Sequence, residues 1–159
     1  MAKVEDVELV RSGVEALNAF AEEHEDVSLD LREADLRGLN LRKARLQGAR
    51  LGGANLEGCD LRDSRLNSSD LRGCNLREAD LRNANMHRAV LTGADLRGAR
   101  LGRLGIGSQR MCISPATFED VNWDREELVR ILEMINLNPD FEVRYEIVPR
   151  MEATKATRR

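Results

Sequence analysis

Three cysteines and two histidines are the side chains in this chain best suited to bind a metal or to carry nucleophilic catalysis. Their spacing serves neither purpose. Cys59 and Cys74 are fifteen residues apart, Cys112 is far from both, and neither His24 nor His87 has a serine or cysteine partner at useful spacing. An odd cysteine count without close pairs also argues against a disulfide framework. No glycine motif that would cradle a phosphate is present. These patterns predict no catalytic residues, no metal and no cofactor. The groups left to do chemistry are arginines. They recur as Arg32, Arg37, Arg42, Arg62, Arg72, Arg77, Arg82 and Arg97, each directly after a leucine.

Those leucines lie on one register. Every fifth position from Leu31 to Leu101 is leucine, except Met86. Neither a helix, with period 3.6, nor an ordinary strand, with period 2, sustains a period of five. A unit this short cannot bury its own apolar side chain, so stacked neighbours must share a core, which makes this a solenoid. Two residues before the leucine a small side chain stands in almost every unit, as in Ala34, Ala49, Cys59, Ser64, Ser69, Cys74 and Ala94, with Leu29 and Leu39 as exceptions. Small and large residues two apart point to the same face of an extended backbone. Between them usually stands an outward Asp or Asn, such as Asp35, Asn55, Asp80 or Asp95. Two residues after the leucine, glycine recurs, as in Gly38, Gly58 and Gly98. In Leu96-Arg97-Gly98-Ala99 it holds the third place of a type II turn, where φ is positive. Units with Glu33, Lys43, Glu78 or Arg88 at that place are expected to use a different, helical-like corner. Aromatic residues make up only 3% of the chain, so leucine and alanine must build the interior.

Units such as Ala34-Asp35-Leu36-Arg37-Gly38 and Ala54-Asn55-Leu56-Glu57-Gly58 resemble the pentapeptide repeat family, whose consensus is A(D/N)LxX. The resemblance covers residues 29–108. It implies an all-β solenoid, a right-handed quadrilateral β-helix of about four coils with leucine and the small residue inside. With twenty residues per coil, Arg42, Arg62 and Arg82 stack in one column. Arg37, Arg77 and Arg97 stack in another, broken by Glu57, and Arg45 and Arg65 stack on a fourth side. Arg42, Arg62 and Arg82 with Arg37, Arg77 and Arg97 are the six candidate partner-binding residues. Asp60 and Asp80 stand two residues before Arg62 and Arg82 and are placed to neutralise them.

The flanks read as caps. Residues 1–28 are expected to form an N-terminal helical cap, with a helix over 12–24, a Ser12–Glu15 capping box, and an apolar stripe of Val14, Leu17, Phe20 and Ala21. Residues 109–117 read as a linker. Residues 118–149 read as a helix and a half-buried strand, with Leu128, Ile131, Leu132 and Ile135 on one stripe and Phe141, Val143 and Tyr145 on one strand face. These residues either seal the last coil or join two copies in a homodimer. Residues 150–159 read as a disordered tail.

The chain carries a net charge of −3, yet the repeat holds more basic than acidic residues and the flanks are acidic. No apolar run approaches the ~20 residues of a membrane span. A cytoplasmic protein with no membrane contact is expected. Nucleic acid is disfavoured, because the arginine columns have no interleaved aromatics for base stacking. The expected function is a non-catalytic protein–protein interaction module with an unidentified protein partner. Some members of the resembled family act on DNA gyrase or topoisomerase IV by imitating the shape and charge of DNA. That alternative sits poorly with a basic coil. A structural adaptor role within a larger assembly is the other alternative.

Overall fold

The computed structural model describes residues 1–101 together with Val121 and Asp124. From residue 29 the backbone repeats one unit: an extended stretch of about three residues, then a corner. At each corner the amide of the small residue donates to the carbonyl of the preceding leucine, as in Ala34 to Leu31 (3.1 Å) and Ala99 to Leu96 (3.0 Å). The third turn residue always has positive φ. It is 65–72° at the repeat glycines and 57–63° at Glu33, Lys43, Asp63, Ser68, Glu78, Asn83 and Arg88. The expected helical-like corners therefore do not exist, because every corner uses the same left-handed residue. An L-residue there costs about 1 kcal/mol or more. The ladder explains why it is nevertheless held. The amides of Glu33, Lys43 and Glu78 donate to Gly52, Arg62 and Arg97 of the next coil at 2.9–3.1 Å, bonds that a different corner would forfeit.

Parallel bridges join residues twenty apart. They run Asp30–Arg50–Asp70–Val90, Asn55 between Asp35 and Asn75 with Asp95 beyond, Asn40–Asp60–Asp80–Arg100, and Arg45–Arg65–Asn85. These four ladders are the four sides of the coil, called sides one to four in that order. Each step between coils uses three backbone bonds on a side. On side four these are Leu46 to Arg65, Arg65 to Ala44 and Gly48 to Asn67, all at 2.9 Å. The interior is largely apolar and nearly uniform. The register leucines from Leu31 to Leu101 are at most 3% exposed, and Met86 fills the same position.

The N-terminal residues form two helices rather than one. α1 spans Val4–Arg11 and α2 spans Val14–Glu23. The expected capping box does not form. The Ser12 hydroxyl bonds back to the Leu9 carbonyl at 2.7 Å, and Gly13, at φ 113°, stands at the start of α2. A break at Gly13 lets both helices lie on the edge of the first coil, with Val10 and Leu17 buried against it. Val14 and Phe20 pack beside them, as the apolar stripe predicted.

The helices supply the hydrogen bonds that a preceding coil would have made. The Asp30 amide donates to Asp6 Oδ2 (2.7 Å) and the Asp30 carbonyl accepts from the Lys3 amide (2.9 Å). Arg11 donates to the Asp35 carbonyl (2.8 Å), and the Arg45 amide donates to Asn18 Oδ1 (2.8 Å). Side chains thus satisfy an otherwise open sheet edge. At the far end the Gly98 amide donates to Asp124, the same device with another carboxylate. The expected linker, C-terminal helix and strand, tail, and the residues Leu128, Ile131, Leu132, Ile135, Phe141, Val143 and Tyr145 lie outside the described residues. No helix among the described residues is long and apolar enough to cross a membrane.

Candidate functional site

Inside the coil the reactive groups are inert. Cys59 and Cys74 occupy small inward slots on different sides and are buried free thiols. Burial pushes the Cys59 thiol up to about 11 and the Cys74 thiol up to about 12, so both stay protonated at neutral pH. Each donates its proton to a carbonyl, Leu36 at 2.9 Å and Leu51 at 3.0 Å. Thiols held this way are core residues and poor nucleophiles. Among the described residues no three His, Cys, Asp or Glu side chains gather into a metal-binding group. His24 stacks on Phe20, with ring centroids 4.3 Å apart, and His87 is exposed.

Outside, the outward Asp or Asn has a defined task. Its Oδ1 accepts the backbone amide two residues on, as Asn40 does from Arg42 and Asp95 from Arg97, both at 3.2 Å. This fixes the approach to the corner, which only a short side chain with an oxygen can do. Where that residue is aspartate and the one after the leucine is arginine, a second interaction is added. The guanidinium clasps both carboxylate oxygens. The pairs are Arg32–Asp30, Arg37–Asp35, Arg62–Asp60, Arg72–Asp70, Arg82–Asp80 and Arg97–Asp95, at 2.5–2.7 Å for the shorter contact. The arginine hydrogen bond is the main cause that holds each of these carboxyls below the usual range, with Asp35 at about 2.

The six candidate residues are placed as the register predicts. The Lys43 amide bonds the Arg62 carbonyl and the Asp63 amide bonds the Arg82 carbonyl, which puts Arg42, Arg62 and Arg82 on successive coils of side three. Arg37, Glu57, Arg77 and Arg97 line the corresponding column of side two. Their charges are mostly engaged. Arg62, Arg82, Arg37 and Arg97 are clasped as above, and Arg42 turns to Asp63 of the next coil at 3.1 Å. Arg77 has an asparagine, Asn75, two residues before it where the clasped arginines have an aspartate, and it makes no ion pair among the described residues.

Side four differs. The stretches 44–48, 64–68 and 84–88 contain no aspartate or glutamate, whereas sides one, two and three each carry several. Arg45 is paired from outside the coil, by Glu22 of α2 at 2.9 Å. Arg65 and Arg88 are exposed and make no ion pair among the described residues. Sorting the carboxylates by coil column would have revealed this acid-free side from the sequence. The Asp-Leu-Arg triplets likewise carried the signal of the clasps.

Residues 29–63 and 64–103 match a family model described as pentapeptide repeats, in eight copies. Among solved structures the chain is similar to a pentapeptide repeat protein from the cyanobacterium Cyanothece, at 28% identity over 58% of this chain and 58% of that one, TM-score 0.46. A second is a pentapeptide repeat protein of the Arabidopsis thaliana thylakoid lumen, 32% identical over 66% of this chain and 75% of that one, TM-score 0.41. A third is QnrB1, a plasmid-mediated fluoroquinolone resistance protein, 21% identical over 64% and 61%, TM-score 0.29. The chain spans 58% of the length of the first of these. No curated protein matches.

Proposed function

Because the chain belongs to the pentapeptide repeat family, we propose that it is a non-catalytic protein–protein interaction module working through the flat outer sides of its coil. The family is one of right-handed β-helix solenoids whose members are in general structural or interaction proteins. The observation that carries the reading is the division of labour in each pentad. Leucines and small residues are consumed by the interior and Asp or Asn by the corners. What varies from unit to unit is an exposed row of polar and charged side chains at about 4.8 Å spacing. A rigid surface of this kind loses little entropy on binding. In this reading the coil has about four turns, α1 and α2 close its first end, and residues 118–149 close the last or join two copies.

The charge of the coil argues against imitation of DNA. Residues 29–101 carry more arginine and lysine than carboxylate, the opposite of what imitating a polyanion needs.

The test is capture of proteins from cell extract by the wild-type chain and by a variant with Arg42, Arg62 and Arg82 changed to glutamate. A saturable partner, weakened by salt, is expected with the wild type. A partner lost in the variant places the working surface on side three, and one retained places it elsewhere. Turnover of a small-molecule substrate by the purified chain, or capture of nothing under any condition, would overturn the module reading.

A further inference from the structure

Side four is the one side of the described coil without a carboxylate. On the other sides most arginines find an aspartate two residues back or one coil away, Arg77 and Arg100 being the exceptions among the described residues. Arg50, which also occupies an outward slot, reaches Asp30 on side one at 3.8 Å. Arg65 and Arg88 have no such neighbour within their own side, and both are exposed. Asn67, Asn85 and His87 surround them, groups that can donate hydrogen bonds without adding negative charge.

The first coil shows how this side is used within the molecule. Helix α2 brings Asn18 and Glu22, one helical turn apart, onto the side-four rung. Asn18 donates to the Lys43 carbonyl (3.0 Å) and accepts from the Arg45 amide (2.8 Å). Glu22 pairs with the Arg45 guanidinium (2.9 Å). The next coils repeat the rung without the helix. A helix turn of about 5.4 Å lies close to the rung spacing of about 4.8 Å. Arg65 stands in the ladder column, where Asn85 follows it, and Arg88 stands at the corner of the next rung, so a helix lying obliquely across these two rungs with glutamates four apart would present a carboxylate to each cation. Nucleic acid suits the side less well, because 44–48, 64–68 and 84–88 hold no aromatic residue on which a base could stack.

We propose that side four, centred on Arg65 and Arg88, is a docking face for an acidic helix of a partner protein. This rests on the interaction-module reading and assigns it a face and a partner chemistry. The reach of Arg65 and Arg88 into solvent, with no carboxylate on their side to draw them back, is what recommends them over the clasped arginines of sides two and three.

The test titrates the full, isotope-labelled chain with a synthetic alanine-based helical peptide bearing glutamates four residues apart. A glutamine-substituted peptide and oligo(dT) serve as comparison probes. The glutamate peptide is expected to shift the amide resonances of Gln47, Asn67 and His87, and the glutamine peptide to leave them unmoved. Arg65→Ser with Arg88→Ser should weaken the glutamate peptide roughly fivefold, with the remaining spectrum showing that the fold is retained. Shifts centred on Arg62 and Arg82 would overturn the assignment while leaving the module reading intact. Equal binding of both peptides, no binding of either, or tighter binding of oligo(dT) on the same rungs would overturn the assignment as well. The module reading itself falls only on the capture experiment above.

Discussion

Arg62 on side three and Arg65 on side four lie three residues apart on the same coil, and their charges are used differently. Arg62 follows a leucine, so Asp60 is two residues behind it and clasps it at 2.5 Å. Arg65 stands in the outward slot itself, the place where most units keep the Asp or Asn that fixes the corner. The acid of a slot clasps the residue after the leucine, so Arg65, standing in the slot itself, has no such acid on its own side. Backbone, hydrogen bonding and interior are the same beneath both, with Leu61 and Leu66 fully buried. The contrast shows that position within the pentad, more than the count of arginines, decides whether a charge belongs to the fold or to the surface.

The strongest way to break this comparison is to attack the shared floor. Leu61→Ala under side three and Leu66→Ala under side four should each cost about 3 kcal/mol, since both truncate a fully buried leucine in the shared interior. Urea unfolding of the two variants reads this directly. If Leu66→Ala cost far less than Leu61→Ala, side four would be a looser wall, and the exposure of Arg65 would reflect local packing rather than pentad position.

Much of this was legible in the sequence because a period of five leaves few solutions. The leucine register and the alternation of Ala34, Ala54 and Ala94 with leucine located the interior, and the twenty-residue coil, which the family resemblance implies and the period alone does not fix, placed the columns where the bridges have them. The corners at Glu33 and Glu78 were misread because local propensity disfavours positive φ for glutamate. The ladder bonds on either side, made with residues twenty away, outweigh that preference. The helix break at Gly13 was hidden for a similar reason. Ser12 and Glu15 have capping-box spacing, but the break is set by the edge the helices must cover, and no local pattern encodes that edge. The candidate arginines were placed correctly in columns. Their clasps were partly foreseen at Asp60 and Asp80, whereas the exposed pair on side four was hidden by a charge count taken over the whole repeat.

A sharper and smaller test lies in the inward slots. Ser64, beneath side four, is buried and its hydroxyl has no hydrogen-bond partner among the described residues. Ser69, in the slot of side one, donates to the Leu66 carbonyl at 2.6 Å. An unpartnered buried hydroxyl is a net cost, and a partnered one is a modest gain. Ser64→Ala should therefore leave stability unchanged or raise it by up to about 1 kcal/mol, while Ser69→Ala should lower it by about 1 kcal/mol. Calorimetric melting of the two variants separates them by sign. A fall for Ser64→Ala would mean that the alanine slots of side four are filled less uniformly than those elsewhere.

The smallest expected effect is also the most direct on the arginines. The aspartates clasped on side three have carboxyls held below their ordinary range, chiefly by the arginine hydrogen bond. A group whose pKa is lower in the folded state stabilises that state above its unfolded pKa, near 3.9 for aspartate. The contribution then fades as pH falls through the folded value. Arg62→Ala should accordingly lower the urea midpoint at pH 7, and the gap from wild type should narrow steadily below about pH 4 as Asp60 protonates in both proteins. Arg65→Ala removes no clasp, so its midpoint should track the wild type at every pH. If the Arg65 variant showed the same acid-dependent loss, a carboxylate would be holding that guanidinium after all. Arg65 would then be as much a part of the fold as Arg62, with no charge to spare for a partner.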